Sequence, residues 1–312
     1  MLAKLPFVAA DTLHHGDTAS AWLRHGEISA SRLRRTRFQL TQKTNLPIYQ
    51  VDVFARGPFT GNPAAVCPLE QWLPDAVMQG IAAENNLPET AFFVKRSDGD
   101  FDLRWFTPTV EVDLCGHATV ASGHVVLNVI EPSRAEVAFH TRSGELRVER
   151  AGDLLALSLP ARESVPVDDS QQADALERVL GVRPNLLLKS VVNIAVFDEE
   201  SVVREMQPDF SLMVYSGFKW VSVTAPASDA DTDFVSRYFA PGSGIAEDPV
   251  TGSAHGWLVP YWAERLGRDQ LAARQVSRRG GWLNCTLAGD RVVVAGRVLE
   301  YLSGTLTVPS GH

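Results

Sequence analysis

From position 47 onward the chain is a succession of short apolar runs, each closed by turn residues. The segments IYQVDVF (48–54), TAFFVK (90–95), FDLRWF (101–106), VAFHT (137–141), ELRVER (145–150) and LLALSL (154–159) carry β-branched, aromatic or Leu residues. Such runs, bounded in this way, predict strands. Ser143-Gly144 between two of them predicts a hairpin turn. Apolar residues recurring three and four apart predict helices at 75–85 and near 174–180. Many short strands with few helices, and no regular strand–helix alternation, point to the α+β class.

One pattern occurs twice. RWFTPTVEVDLCGHATVASGHVV (104–126) and RYFAPGSGIAEDPVTGSAHGWLV (237–259) share Arg-aromatic-Phe-x-Pro, an irregular stretch, a Gly beside a small or polar residue, and an apolar run. Arg104 and Arg237 lie 133 residues apart, and Gly116 and Gly252 lie 136 apart, so the second copy holds three extra residues in its loop. This self-similarity predicts a duplication with two equal domains. In each copy a strand should stop at Phe-x-Pro, because proline ends the ladder, and a helix should begin at Cys115-Gly116-His117 or Thr251-Gly252-Ser253. The first of these helices is apolar on nearly every side, which predicts enclosure by other structure, and a sheet curled around it. The second contains Pro260, which predicts a kink.

The first 46 residues differ. Lys4, Arg24, Arg32, Arg34, Arg35, Arg37 and Lys43 outnumber Asp11, Asp17 and Glu27, in a chain whose overall formal charge is −8. The apolar start LPFVAA is soon broken by Asp11 and His14-His15, which argues against a secretory signal. Residues 1–46 are expected to be an extension, disordered or loosely docked, preceding domains at 47–163 and 164–308. The acidic balance offers no support for nucleic-acid binding or an anionic-membrane anchor, and no apolar run is long enough to span a bilayer. Cys67, Cys115 and Cys285 are too few and too scattered for a disulfide framework or zinc cluster, so a reducing cytoplasm is the expected location.

A helix N-terminus presents unpaired N–H groups and partial positive charge, and a glycine there lets a ligand approach the backbone. If the two halves face each other, Gly116-His117 and Gly252-Ser253 would make a paired site for a carboxylate; the same residues can simply begin two helices. Nearby candidate acids and bases are Glu89, His117 and Asp248. Glu89 enters an apolar strand, where burial would raise its pKa toward that of a base able to take a proton from carbon. Each also has a plain structural reading, Glu89 as a solvated turn residue and Asp248 as an Asx turn before Pro249. GSGIAE (242–247) lacks the third glycine of a dinucleotide fingerprint, and no nucleophile elbow, P-loop or H-E-x-x-H motif is present, so no cofactor and no metal is expected.

The stretches QVDVFARGPFTGNPAAV (50–66), NNLPETAFFV (85–94) and the two repeat copies, in this order, resemble the phenazine biosynthesis PhzF-like family, relatives of diaminopimelate epimerase. The resemblance runs from about 48 to 307. It implies two similar domains, each a mixed β-barrel wrapped around a central α-helix, with the active site between them. It also implies a cofactor-independent isomerase acting on a small carboxylate, and a homodimer. The family's catalytic glutamate falls on Glu89, its histidine on His117, and its aspartate and serine on Asp248 and Ser253. Asn62 in the G-N-P turn matches a substrate-contacting position.

Diaminopimelate epimerase has a cysteine at each helix start; here the pair is Cys115 and Thr251. A hydroxyl cannot replace a thiolate base, which disfavours a symmetric two-thiol racemase. The leading expectation is therefore a proton shift on one face of the substrate by Glu89. The alternatives are an epimerase pairing Glu89 with Cys115 or His117, and a non-catalytic small-molecule binder.

Overall fold

The computed structural model describes residues 43–309, and within them one strand order is laid down twice. The first copy comprises β1 (Lys43–Val53), β2 (Asn62–Leu69), β3 (Glu89–Lys95), β4 (Phe101–Phe106), β5 (Glu111–Val112), β6 (Glu136–Thr141), β7 (Gly144–Ala151) and β8 (Leu154–Pro160). After β9 (Val165–Pro166) comes the second: β10 (Leu186–Lys189), β11 (Asn193–Val196), β12 (Val221–Pro226), β13 (Phe234–Phe239), β14 (Glu247–Asp248), β15 (Gln270–Gln275), β16 (Gly281–Ala288) and β17 (Arg291–Gly296). The last strand is β18 (Val298–Pro309). In the first copy β2 and β3 are parallel, β3 and β4 antiparallel, β4 and β6 parallel, and β6, β7 and β8 antiparallel in turn. The strands β11, β12, β13, β15, β16 and β17 repeat those pairings in the same order.

The halves are joined through equivalent strands. Residues Leu155 to Pro160 of β8 pair antiparallel with β17. The strand that trails each copy is given to the other: β9 pairs with β10, and β18 with β1. This modifies the boundaries expected from sequence. Residues 43–46, assigned there to the extension, lie in β1, and β18, assigned to the second domain, extends the sheet of the first. Residues 1–42 lie outside the described residues.

A helix fills the same position in each copy. α2 (Gly116–His124) follows β5, and α6 (His255–Leu266) follows β14; α1 (Asp75–Asn85), α3 (Ser170–Leu180), α4 (Glu200–Glu205) and α5 (Phe210–Tyr215) lie elsewhere in the order. Residues Gly116 to Gly123 of α2 are all buried, and the helix continues as a π-helical stretch, Val125–Ile130. Small residues let the sheet close on it: a Cβ at Gly123 would fall 2.5 Å from Val148. A single apolar core runs around both helices, with Val120, Phe93 and Phe139 on one side and Leu258, Trp262 and Phe234 on the other. Trp262 stacks on Phe234 at 5.5 Å, an arrangement worth about 0.5–1.5 kcal/mol beyond burial. The outer helices cover separate clusters, α1 over Met78, Phe92 and Phe106, and α3 to α5 over Leu176, Phe197 and Phe239.

α6 runs through Pro260. Proline has no N–H to give the carbonyl four residues earlier. That carbonyl, Gly256 O, accepts from Arg162 N at 2.8 Å instead, so the missing bond is replaced from the inter-lobe linker. No described helix is long and apolar enough to cross a membrane.

Candidate active site

The repeated motif is built around a repeated ion pair. Arg104 reaches Glu111 through Nε and Nη2 at 2.7 and 2.8 Å, and Arg237 reaches Glu247 in the same two-pronged way at 2.7 and 2.9 Å. The arginines are 133 residues apart and the glutamates 136, so the three extra residues of the second copy fall between them, where the 3-10 turn Pro241–Ser243 lies. Two parallel N–H···O bonds fix orientation as well as distance. Each pair therefore holds β5 or β14 against its neighbour and aims the following chain at Cys115 or Thr251.

Those two chain segments meet. A Cβ placed on Gly116 would lie 3.5 Å from Ser253 N, and one placed on Gly252 would lie 3.9 Å from His117 N. Cys115 and Thr251, the cap residues, have extended backbones, and neither side chain caps its own helix. Thr251 would ordinarily do so, but its Oγ1 donates to Asp248 Oδ2 at 2.5 Å. The N–H groups that start both segments are thus left without side-chain acceptors, in a place where an added Cβ at either glycine would intrude. This is the geometry of a carboxylate site. The second start differs from the expected helix: Gly252–Ala254 is a 3-10 turn, with α6 beginning at His255.

The titratable side chains converge beside it. Glu89 is the first residue of β3, and its Oε2 lies 3.2 Å from His117 Nε2. The two atoms face each other without hydrogen-bond alignment, and neither has another partner among the described residues. Burial pushes Glu89 up to about 8, helped by the negative charge of Asp248 and opposed by a hydrogen bond from Cys115. Burial pushes His117 down to about 3, so its imidazole is neutral near pH 7. Asp248 is also raised by burial, but its oxygens accept from Thr251 and from Asn62, the latter at 2.7 Å. Two buried carboxyls this close repel each other as anions. The one with fewer donors, Glu89, holds a proton more firmly. Burial also raises Cys115 well above an ordinary thiol, and Glu89 adds to the shift, so Cys115 is no ready thiolate.

Asn62 ties the halves together. Fully buried, its Nδ2 reaches Asp248 Oδ1, the Val250 carbonyl at 2.8 Å and His117 Nδ1 at 3.1 Å, while its Oδ1 has no partner among the described residues. The turn bearing it is clamped from the second half: Arg279 Nε donates to Gly61 O at 2.8 Å, and Gly61 N donates to Gly280 O at 2.7 Å. Gly61 has φ +80°, and a Cβ there would sit 2.4 Å from Val53 O, so the turn requires glycine. The strand expected to reach Phe54 ends at Val53; Phe54 has φ 60° and buries its ring against Gly252.

All the residues singled out from sequence lie around this point: Asn62, Glu89, Gly116, His117, Asp248, Gly252 and half-buried Ser253. Sequence reasoning missed Gln275, which accepts from Thr251 N at 2.8 Å and donates to Asp248 O at 2.7 Å. A glutamine inside a strand gives no signal of that duty.

Comparison with known proteins gives the chain's family. The family model of phenazine biosynthesis-like proteins matches residues 51–301. An uncharacterised isomerase from Pseudomonas aeruginosa is 49% identical over 261 residues, which are 84% of this chain and 98% of its own. The crystal structure of a phenazine biosynthesis PhzC/PhzF protein from Clostridium difficile is 40% identical, covers 84% of this chain and 100% of its own, and superposes with a TM-score of 0.78. A hydroxyproline epimerase from Agrobacterium vitis, 12% identical, aligns over 86% of this chain and 94% of its own with a TM-score of 0.54, a likeness of fold alone.

Proposed function

The chain belongs to the phenazine biosynthesis-like family, and on that premise we propose that it is an isomerase that moves a proton on a small carboxylate-bearing substrate, with Glu89 as both base and acid. The observation carrying this reading is a buried carboxyl, raised to about 8, beside a neutral His117 and two uncapped backbone starts.

The substrate carboxylate would sit on the N–H groups at Gly116-His117 and Gly252-Ser253, with the Ser253 hydroxyl beside it. Held there, the carbon next to it carries an acidified proton, because negative charge developing on abstraction lies close to the same positive backbone ends. Glu89 in its anionic form takes that proton, and the C–H electron pair is delocalised into the substrate. Glu89 then returns the proton to another carbon on the same face. A carboxyl with a pKa near neutrality suits both halves of this exchange. His117 orients the Glu89 carboxyl, and Asp248, held by Asn62 and Thr251, orients a polar group of the substrate. The scheme uses only this chain's own groups.

A one-sided transfer is favoured over epimerisation by the placement of the bases. Glu89, Cys115 and His117 all come from the first half, and the residue matching Cys115 across the gap is Thr251, whose hydroxyl is engaged by Asp248. An epimerase needs a second base on the opposite face. A pure binder would need the carboxylate site but gains nothing from a desolvated carboxyl, which costs stability. The test is a panel of small unsaturated, amino and hydroxy acids incubated with the protein in deuterated water and followed by NMR. The proposal expects a substrate whose double bond or proton migrates, with deuterium at the acceptor carbon. Inversion of one centre without migration would support an epimerase, and binding without any exchange would support a binder.

A further inference from the structure

We propose that Glu89, Cys115 and His117 also form a binding site for a thiophilic divalent cation, Zn2+, and that the metal switches off proton transfer there. The switching-off rests on the role given above to Glu89; the metal site itself does not.

One carboxylate oxygen, one sulfur and one imidazole nitrogen from these residues lie within 4.8 Å of one another. Around a tetrahedral Zn2+, with bonds of about 2.0–2.3 Å, neighbouring ligand atoms sit roughly 3.3–3.5 Å apart. With Nε2 as the imidazole ligand, Glu89 Oε2 at 3.2 Å already has that spacing, and Cys115 Sγ, 3.5 Å from Nδ1 of the same ring, lies within 4.8 Å of the other two ligand atoms. A contraction of about an ångström therefore completes three ligands, leaving the fourth position to water.

Three further observations point to a ligand at this spot. His117 is 4% exposed and Cys115 7%, so the groups are already desolvated and held. Glu89 Oε2 and His117 Nε2 confront each other with no aligned hydrogen bond and no other partner among the described residues. An ion between them would satisfy both. The imidazole also bonds the Pro63 backbone carbonyl, the kind of supporting contact that fixes a metal-binding ring.

Charge and ligand type select the ion. On binding, the Cys115 thiol and the Glu89 carboxyl each give up a proton to solvent as the S–Zn and O–Zn bonds form, and Glu89 binds as the carboxylate. Two anionic ligands and a neutral imidazole leave a complex with no net charge, which a buried site tolerates. Mg2+ and Ca2+ demand six or more oxygen ligands and are disfavoured here. Once coordinated, Glu89 is a much weaker base toward a proton on carbon, because the cation draws charge from both carboxylate oxygens.

The experiment uses the metal-free full chain, with Co2+ as the spectroscopic probe and Zn2+ in competition with a chromophoric chelator. One equivalent of Co2+ should produce a near-ultraviolet thiolate-to-cobalt band and the visible bands of a four-coordinate ion, and Zn2+ should displace them. Cys115→Ser should remove the near-ultraviolet band and weaken Zn2+ by at least ~100-fold. Cys285→Ala, whose buried thiol is not part of this ligand group, should change neither. Should Cys115→Ser fail to fold by circular dichroism, Glu89→Gln serves in its place, keeping the sulfur band while weakening Zn2+. Metal held elsewhere, for instance by His14-His15, would give no sulfur band and would survive both substitutions, and that result overturns the site. A sulfur band with stoichiometric Zn2+ and unimpaired deuterium exchange would overturn the switching-off alone, whereas failure to find any exchanging substrate leaves the metal measurement intact.

Discussion

The bond network around Asn62 makes a quantitative prediction. Replacing it by alanine removes the donor from Asp248 Oδ1 at 2.7 Å and from the Val250 carbonyl at 2.8 Å, in a place with no access to water. Each buried acceptor left unpaired costs about 1–3 kcal/mol, with the carboxylate at the upper end, so Asn62→Ala should lose roughly 2–6 kcal/mol of folding stability. For a chain of this size that is a fall in Tm on the order of 5–15 °C. Asn62→Asp keeps the volume but sets a second carboxyl against Asp248. Each raises the other's pKa, so a shared proton is favoured. The group raised in the folded state stabilises at low pH and loses that contribution as pH rises through its folded pKa. The Asp variant should therefore lie closer to the native protein at about pH 5 than at about pH 8. Differential scanning calorimetry of the three proteins at both pH values decides it. An Ala variant within about 1 °C of the native protein, or an Asp variant further from it in acid than in base, would refute the bridge.

Other consequences follow from individual contacts. Gly61→Ala forces a Cβ to 2.4 Å from Val53 O at φ +80°, and should lower the denaturant midpoint by the equivalent of roughly 2–4 kcal/mol while misplacing Asn62. Glu89→Gln should be more stable than the native protein above about pH 8, and the gap should close as the pH falls toward 5. Glu89's raised pKa means that its stability contribution is present in acid and lost as pH rises, and Gln has no such dependence; thermal scans across that range check the sign. For the same reason kcat/KM should climb with pH through about 8 as the Glu89 base ionises, and a profile falling over that range would contradict the assignment. Cys115→Ser should retain exchange within ~10-fold under a one-sided proton shift, whereas loss beyond ~100-fold would argue for Cys115 as a second base.

Much of this architecture is written locally. The Arg-aromatic-Phe-x-Pro stretches announce the duplication because each copy must build the same Arg–Glu brace and the same chain entry. The all-round apolarity of 116–130 announces a helix enclosed by strands, which holds as far as Leu127, whereas Val129 and Ile130 are exposed. The candidate side chains are legible because a carboxyl at the mouth of an apolar strand and glycines at helix starts are chemically unusual. What is hidden is what depends on distant partners. Asn62 and Asp248 are 186 residues apart in sequence, and no local pattern says that they share a hydrogen bond. Polar residues such as Thr44 and Asn45 join β1 only because β18 offers its backbone, and side-chain patterning does not report backbone pairing. Phe54 looks like a strand residue by type, yet closure of the lobes turns it into a left-handed bend. The exchange of β9 and β18 between halves is likewise a matter of where two short tails find an open edge.

Hydrogen exchange at the substrate carbon is the most direct probe of the central claim. With a turned-over carboxylate substrate in deuterated water, the native protein should wash deuterium into the migrating position, and Glu89→Gln should slow this by at least ~10³-fold while binding the same substrate with a Kd changed by less than ~10-fold. Equal exchange rates in the two proteins would contradict the account.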